Sequence, residues 1–290
     1  MSEYGQPGKG RAWWDAFMTT HQDKALQFRS MHVPGRPLLL PNAWDAASAR
    51  VAEHAGAAAI ATTSAGVAWS LGSPDGDLLG REAALALVAR VVAAVDAPVS
   101  ADVESGYAGD PEGVAATVRG VLGAGAVGVN LEDADRGGPA PLRTVADQVA
   151  RLAAARAAAD ESGISLFVNA RIDVHLGGSG DLGETLDRAA AYVEAGADGV
   201  FVPGLTDLAS IAAVVGKVRA PVNILAGPGA PDVAALAGAG VARVSLGSSV
   251  AQAAYAVARR ATAELLGAGT YDSVAGAIDY AELNALLARP

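Results

Sequence analysis

Three short stretches gather the residues that could do chemistry. SADVESGY places Asp102 and Glu104 two apart, VNLEDAD holds Glu132 and Asp133, and FVNARID holds Asn169, Arg171 and Asp173. On an extended strand residues two apart share a side, so Asp102 and Glu104 are expected to face one site. If the strand carrying Glu132 is their neighbour, three carboxylates converge, which is costly unless a cation neutralises them or one is protonated. A hard divalent ion meets that need. All-oxygen ligation suits Mg²⁺, with Mn²⁺ as a substitute, and the chain has no cysteine and no paired-histidine spacing to favour zinc. In the competing reading these acids cap helices or pair with arginines at a rim. Arg171 closes an apolar run, where a guanidinium needs a carboxylate or phosphate beside it. It either holds a substrate anion or forms a salt bridge to Asp102 or Glu132 that shapes the site, and the two roles are compatible.

Other chemistries are removed by what is missing. The lysines are Lys9, Lys24 and Lys217, none at a predicted strand C-terminus, so a Schiff-base mechanism has no amine. Of the histidines, His175 alone follows one of these stretches, and a surface-loop role suits it. Acidic residues outnumber basic ones by 31 to 21, a net charge of −10 that argues against nucleic acid or an anionic membrane as partner and for a small molecule. The first residues lack an apolar targeting core, apolar stretches break before they could span a bilayer, and cysteine is absent, so a cytoplasmic location is expected.

The elements that must position these groups repeat along the chain. Eight short apolar runs alternate with Ala-rich helical segments: Pro37 to Pro41, Ala58 to Thr62, Val99 to Val103, Val127 to Leu131, Leu166 to Ala170, Gly199 to Pro203, Val222 to Leu225 and Arg243 to Leu246. This pattern predicts an α/β fold, a (β/α)8 TIM-type barrel over 1–290 whose active face lies at the strand C-termini. An open doubly wound sheet would carry a nucleotide-type glycine motif in its first turn, and PNAWDA is not one. A helical extension is expected over 1–30, where Trp13, Trp14 and Phe17 either cover the barrel bottom or a neighbouring subunit, or form a loose leader. Residues 250–290 read as two helices, more than one βα unit needs. The loops AGPGAP and SLGSS, after the seventh and eighth runs, read as tight turns with helix caps.

In their order, LLLPNAWDAASAR, ATTSAGVAWSLGSPDG, VSADVESGYAG, GAVGVNLEDAD and VNARIDV resemble the isocitrate lyase/phosphoenolpyruvate mutase family from about Phe28 to Leu287. The resemblance implies that Asp102 and Glu104 hold Mg²⁺, directly or through water, with Glu132 in the same shell. It implies that Arg171 binds the oxo-acid end of the substrate, that the turn Thr63, Ser64, Ala65 offers backbone amides to its carboxylate, and that Asp75 lies near the substrate and a mobile loop. It further implies a homotetramer, a dimer of dimers in which C-terminal helices are exchanged between neighbours. The chain departs from the family where isocitrate and methylisocitrate lyases carry a cysteine loop, for it reads DADRGGPAPLR there, so neither of those activities is expected. The mutase's asparagine-containing gating loop is not recognisable either, and VFVPG lacks a glutamate found in many lyases of the family.

The expected reaction is cleavage of a C–C bond in a small 2-oxo or 2-hydroxy (di)carboxylate through a metal-stabilised enolate. Loss of CO₂ from an oxaloacetate-like substrate needs no acid in the bond-breaking step and tolerates the missing cysteine. Tyr107 or water would protonate the enolate. Two alternatives stay open: phosphoenolpyruvate mutase or phosphonopyruvate hydrolase chemistry at the same site, and a non-catalytic oxo-acid-binding barrel.

Overall fold

Pro41 has no N–H to give, and at this residue the first strand divides in two. Leu38–Leu40 (β1) pairs with the last strand of the chain and Asn42–Ala43 (β2) with the next one. The computed structural model describes residues 20–177 and 179–288. Its remaining strands are Ile60–Thr62 (β3), Val99–Asp102 (β4), Gly128–Glu132 (β5), Phe167–Arg171 (β6), Gly199–Phe201 (β7), Val222–Leu225 (β8) and Arg243–Ser245 (β9). All pairings are parallel, in the order β1-β9-β8-β7-β6-β5-β4-β3-β2, and the join through Pro41 brings the sheet back on itself. The result is a TIM-type barrel of eight strand positions, each falling within or one or two residues beyond an apolar run of the sequence.

Helices fill the crossovers: Ala46–His54 (α2), Ser64–Ser70 (α3), Arg81–Ala94 (α4), Pro111–Gly123 (α5), Val145–Ser162 (α6), Leu182–Glu194 (α7), Leu208–Lys217 (α8) and Val233–Gly238 (α9), preceded by His21–Ser30 (α1) and followed by Ser249–Gly267 (α10) and Tyr280–Leu287 (α11). Much of the acidic surplus starts them. Asp45, Asp110, Asp181, Asp207, Asp232 and Asp279 are N-caps whose carboxylates accept from first-turn N–H groups. Each such cap contributes about 1 kcal/mol.

Period-two alternation splits the barrel strands between two environments. Outward residues such as Val129, Leu131 and Val168 pack against Val118 and Leu152 of the helices. Inward residues fill the lumen. At its N-terminal end α1 acts as a plug: Phe28, fully buried, packs with Leu38, Leu40, Val127 and Phe167, and its burial contributes about 2 kcal/mol. His32 stacks on Phe167 at a ring separation of 3.9 Å and its Nδ1 meets the Phe28 carbonyl at 2.8 Å. The cover formed here is α1; Trp13, Trp14 and Phe17 lie outside the described residues. At the other end of the chain α11 folds back onto α2 of its own barrel, where Arg50 Nε donates to the Leu286 carbonyl at 2.9 Å. No described helix is long and apolar enough to cross a membrane.

Candidate active site

The lumen opens at the C-terminal strand ends into a cavity of about 330 Å³ lined by Asn42, Thr63, Ser64, Ala65, Asp75, Asp102, Asn130, Arg136 and Arg171 among others. Strand register places them. Asp102 of β4 pairs with Asn130 of β5, and Glu132 of β5 with Arg171 of β6. Asp102 closes β4 with its Oδ2 accepting from Ser64 N–H at 3.2 Å, while Oδ1 is buried without a partner among the described residues. Burial raises the Asp102 carboxyl above the ordinary range, against the pull of Arg171.

Glu104 does not follow Asp102 into the cavity. The strand ends at Asp102 and Glu104 turns left-handed (φ 51°), so the extended-strand rule no longer applies. Its Oε2 accepts from the N–H of Gly76 at 2.9 Å and from that of Asp77, and its Oε1 accepts from Tyr107 OH at 3.0 Å. Burial, joined by Asp75, Asp77 and Asp102 and opposed by the Asp77 N–H, pushes its carboxyl up to about 7. Glu104 thus latches the loop that carries Asp75 to the cavity. Tyr107, expected as a proton donor, is absent from the lining and holds Glu104 instead. Burial raises its phenol well above the ordinary range.

Glu132 is 1% exposed and meets Arg171 Nη1 at 2.7 Å and Arg136 Nη2 at 3.3 Å. Burial raises its carboxyl, and the Arg171 charge opposes that rise. Arg171 is gripped on its other edge by Asp173, at 2.6 Å from Nε and 2.8 Å from Nη2. Burial disfavours its charge, but Glu132, Asp173 and Asp102 outweigh that and hold the guanidinium protonated. The trio Asp102, Glu104 and Glu132 therefore does not converge as one ligand set. Among the described residues no group of three or more acid or histidine side chains is spaced to hold a metal ion. A different pair fits a divalent cation: Asp75 and Asp102 line one cavity, and each has a buried Oδ1 without a partner among the described residues.

The turn expected to offer amides is in place, but part of it is engaged. Thr63 N–H donates to the Ala43 carbonyl at 3.0 Å and Ser64 N–H to Asp102, which leaves Ala65 in the first turn of α3. Asp133 faces the helices, where Arg188 and Tyr192 OH donate to it at 3.1 and 2.9 Å. His175 pairs with Thr185 at 3.0 Å, away from the lining. Sequence reasoning missed Asn42, Asn130 and Arg136. Asn130 was within reach, since it stands two residues before Glu132 on the same strand.

The phosphoenolpyruvate phosphomutase family model matches residues 28–266. The chain belongs to the phosphoenolpyruvate mutase/isocitrate lyase superfamily. An uncharacterised Mycobacterium tuberculosis protein is 39% identical over 90% of this chain and 96% of its own length. The 2-methylisocitrate lyase of Escherichia coli is 31% identical over 67% of this chain and 70% of that enzyme. Among solved structures, a candidate lyase/mutase from Burkholderia cenocepacia is 41% identical with a TM-score of 0.88, covering 93% of this chain and 97% of that one. Phosphonopyruvate hydrolase, solved with oxalate and Mg²⁺, is 25% identical with a TM-score of 0.79, covering 91% and 94%. The superfamily thus holds both lyases and enzymes of phosphonate chemistry, on the fold found here.

Proposed function

We propose that this chain is a Mg²⁺-dependent lyase that cleaves a C–C bond in a small 2-oxo or 2-hydroxy (di)carboxylate. One observation carries the reading: a single cavity is lined by two carboxylates, Asp75 and Asp102, each with an oxygen unpartnered among the described residues, and by two guanidinium groups, Arg136 and Arg171. The acids suit a cation and the arginines suit an anion, which is the pairing that a chelating oxo-acid needs. When bound, Mg²⁺ supplies positive charge against the negative charge that develops on the 2-oxo oxygen as the bond breaks.

The remaining work falls to side chains. Asp173 accepts from two of the five Arg171 N–H groups and Glu132 forms an ion pair with Nη1, which together fix the guanidinium plane in the wall of the cavity that Arg171 lines. Ser64 N–H holds Asp102, and Glu104 holds the Asp75 loop. The chain has no cysteine, and Tyr107 is turned to Glu104, so decarboxylation suits this site better than a cleavage that needs an acid in the bond-breaking step.

The test is a turnover screen of metal-stripped protein with oxaloacetate, substituted malates and phosphonopyruvate, with and without Mg²⁺. Mg²⁺-dependent oxo-acid release that is lost in Asp102→Ala and Arg171→Ala is the expected outcome. Loss of phosphonate from phosphonopyruvate in phosphorus NMR would assign the site to P–C chemistry instead, and tight ligand binding without turnover would leave a binding protein.

A further inference from the structure

The lumen beneath the cavity holds a guanidinium with few partners. Arg243 of β9 is 1% exposed, its Nη2 donates to Asn130 Oδ1 at 3.3 Å, and its Nε and Nη1 are buried without partners among the described residues. Around it lies a chain of amides whose directions are forced from both ends. Asn223 Nδ2 faces the carbonyls of Ile224 (3.1 Å) and Arg243 (3.3 Å), so its Oδ1 faces Asn169 Nδ2 at 3.3 Å. Asn169 Nδ2 also reaches Asn130 Oδ1 at 2.9 Å. A guanidinium has no acceptor, so the Asn130 atom that meets Arg243 must be oxygen. Asn130 lines the cavity, and with its oxygen turned down to two donors its Nδ2 is left for the cavity side, next to its register partner Asp102.

We propose that Asn130 is a ligand-binding donor and that Arg243 is the positioning residue that fixes its amide, so that the site demands an acceptor oxygen of a small anion beside Asp102. The inference rests on the oxo-acid reading above and names a part of the site that this reading does not use. It also accounts for an arginine that is hard to explain as a stabiliser. A buried charge with unmet N–H groups is costly, and an apolar replacement of similar length is often neutral or stabilising. Its presence here fits a function that an apolar side chain cannot supply.

Oxalate in the presence of saturating Mg²⁺ is the probe, followed by titration calorimetry on the full chain, with thermal unfolding and a separate Mg²⁺ titration of each variant. Arg243→Met is expected to weaken oxalate binding about tenfold, the order of one hydrogen bond to a charged group, while its melting temperature holds or rises and its Mg²⁺ affinity is unchanged. Asn130→Asp, which replaces the donor by an acceptor of the same shape, is expected to lose at least as much. Arg243→Lys, also a pure donor, should restore most of the binding. If Arg243→Met or Asn130→Asp binds oxalate as the parent does, or if the loss is matched by lost Mg²⁺ affinity, the inference is overturned while the oxo-acid reading stands. If the parent chain binds no oxalate, the oxo-acid reading fails and takes this one with it.

Discussion

Glu132 and Arg171 stand opposite each other in the β5–β6 register and meet at 2.7 Å, with Glu132 almost wholly buried. Removing the cation from such a pair leaves a buried carboxylate uncompensated, which costs about 3 kcal/mol or more. Arg171→Met is therefore expected to lower the unfolding free energy by that order in urea titration, since it strands Asp173 and leaves Glu132 only its longer contact with Arg136 at 3.3 Å. Glu132→Gln should cost less, because Asp173 still holds the guanidinium. Equal stability of Arg171→Met and the parent would show that the pair shapes the mouth without supporting the fold.

The two strand-four acids should separate in their response to metal. Asp102 lines the cavity and has one oxygen without a partner among the described residues, whereas Glu104 gives its oxygens to Gly76, Asp77 and Tyr107. Asp102→Asn is expected to lose most Mg²⁺ binding by calorimetry, with the loop amides still protected. Glu104→Gln should retain Mg²⁺ within a few-fold and instead speed hydrogen exchange at Gly76 and Asp77, which lose a charged acceptor. Loss of Mg²⁺ affinity in Glu104→Gln as large as that in Asp102→Asn would restore Glu104 as a ligand.

The barrel was legible because most strands bury both faces, Leu39 of β1 being exposed, so their positions appear as apolar runs, and because helix and strand must alternate to close it. The two helices expected over 250–290 are Ser249–Gly267 and Tyr280–Leu287. Asp102, Glu132 and Arg171 were placed correctly at strand ends by the same logic. Glu104 was not, because a left-handed glutamate two residues past a strand end is an uncommon local choice, held by a loop some 28 positions earlier in the chain. Arg243 and Asn130 are 113 residues apart, and no local pattern announces that one guanidinium orients the other's amide.

Assembly offers a further check. The C-terminal segment exposes Leu265 (59%), Leu266 (80%) and Tyr280 (84%), which is more apolar surface than a solvated helix pair needs. A homotetramer is the expected state, with these helices at the contacts, and light scattering should give about four times the chain mass of 28.8 kDa. Leu266→Glu with Tyr280→Glu should reduce that mass without melting the barrel. A monomeric parent would remove the tetramer.

His32 ties the bottom plug to acid sensitivity. Burial, with help from the Arg243 charge, pushes its imidazole from the ordinary 6.5 down to about 3. Below pH 6.5 the unfolded chain therefore binds a proton that the folded chain refuses. The stability it represents is complete above that pH and is lost as pH falls toward 3, with about 2 kcal/mol gone by pH 5. Other groups titrate in the same window: Glu104 and Glu132 have raised carboxyls that work in the opposite sense, and the lowered His175 works in the same sense. The decisive comparison is thus between two proteins rather than two pH values. His32→Phe keeps an aromatic ring against Phe167 and leaves the other groups in place. Urea titrations at pH 7, 6 and 5 should show a smaller acid loss in His32→Phe than in the parent, by about that amount at pH 5. Parallel losses would mean that His32 is protonated in the folded chain and that the plug admits the charge.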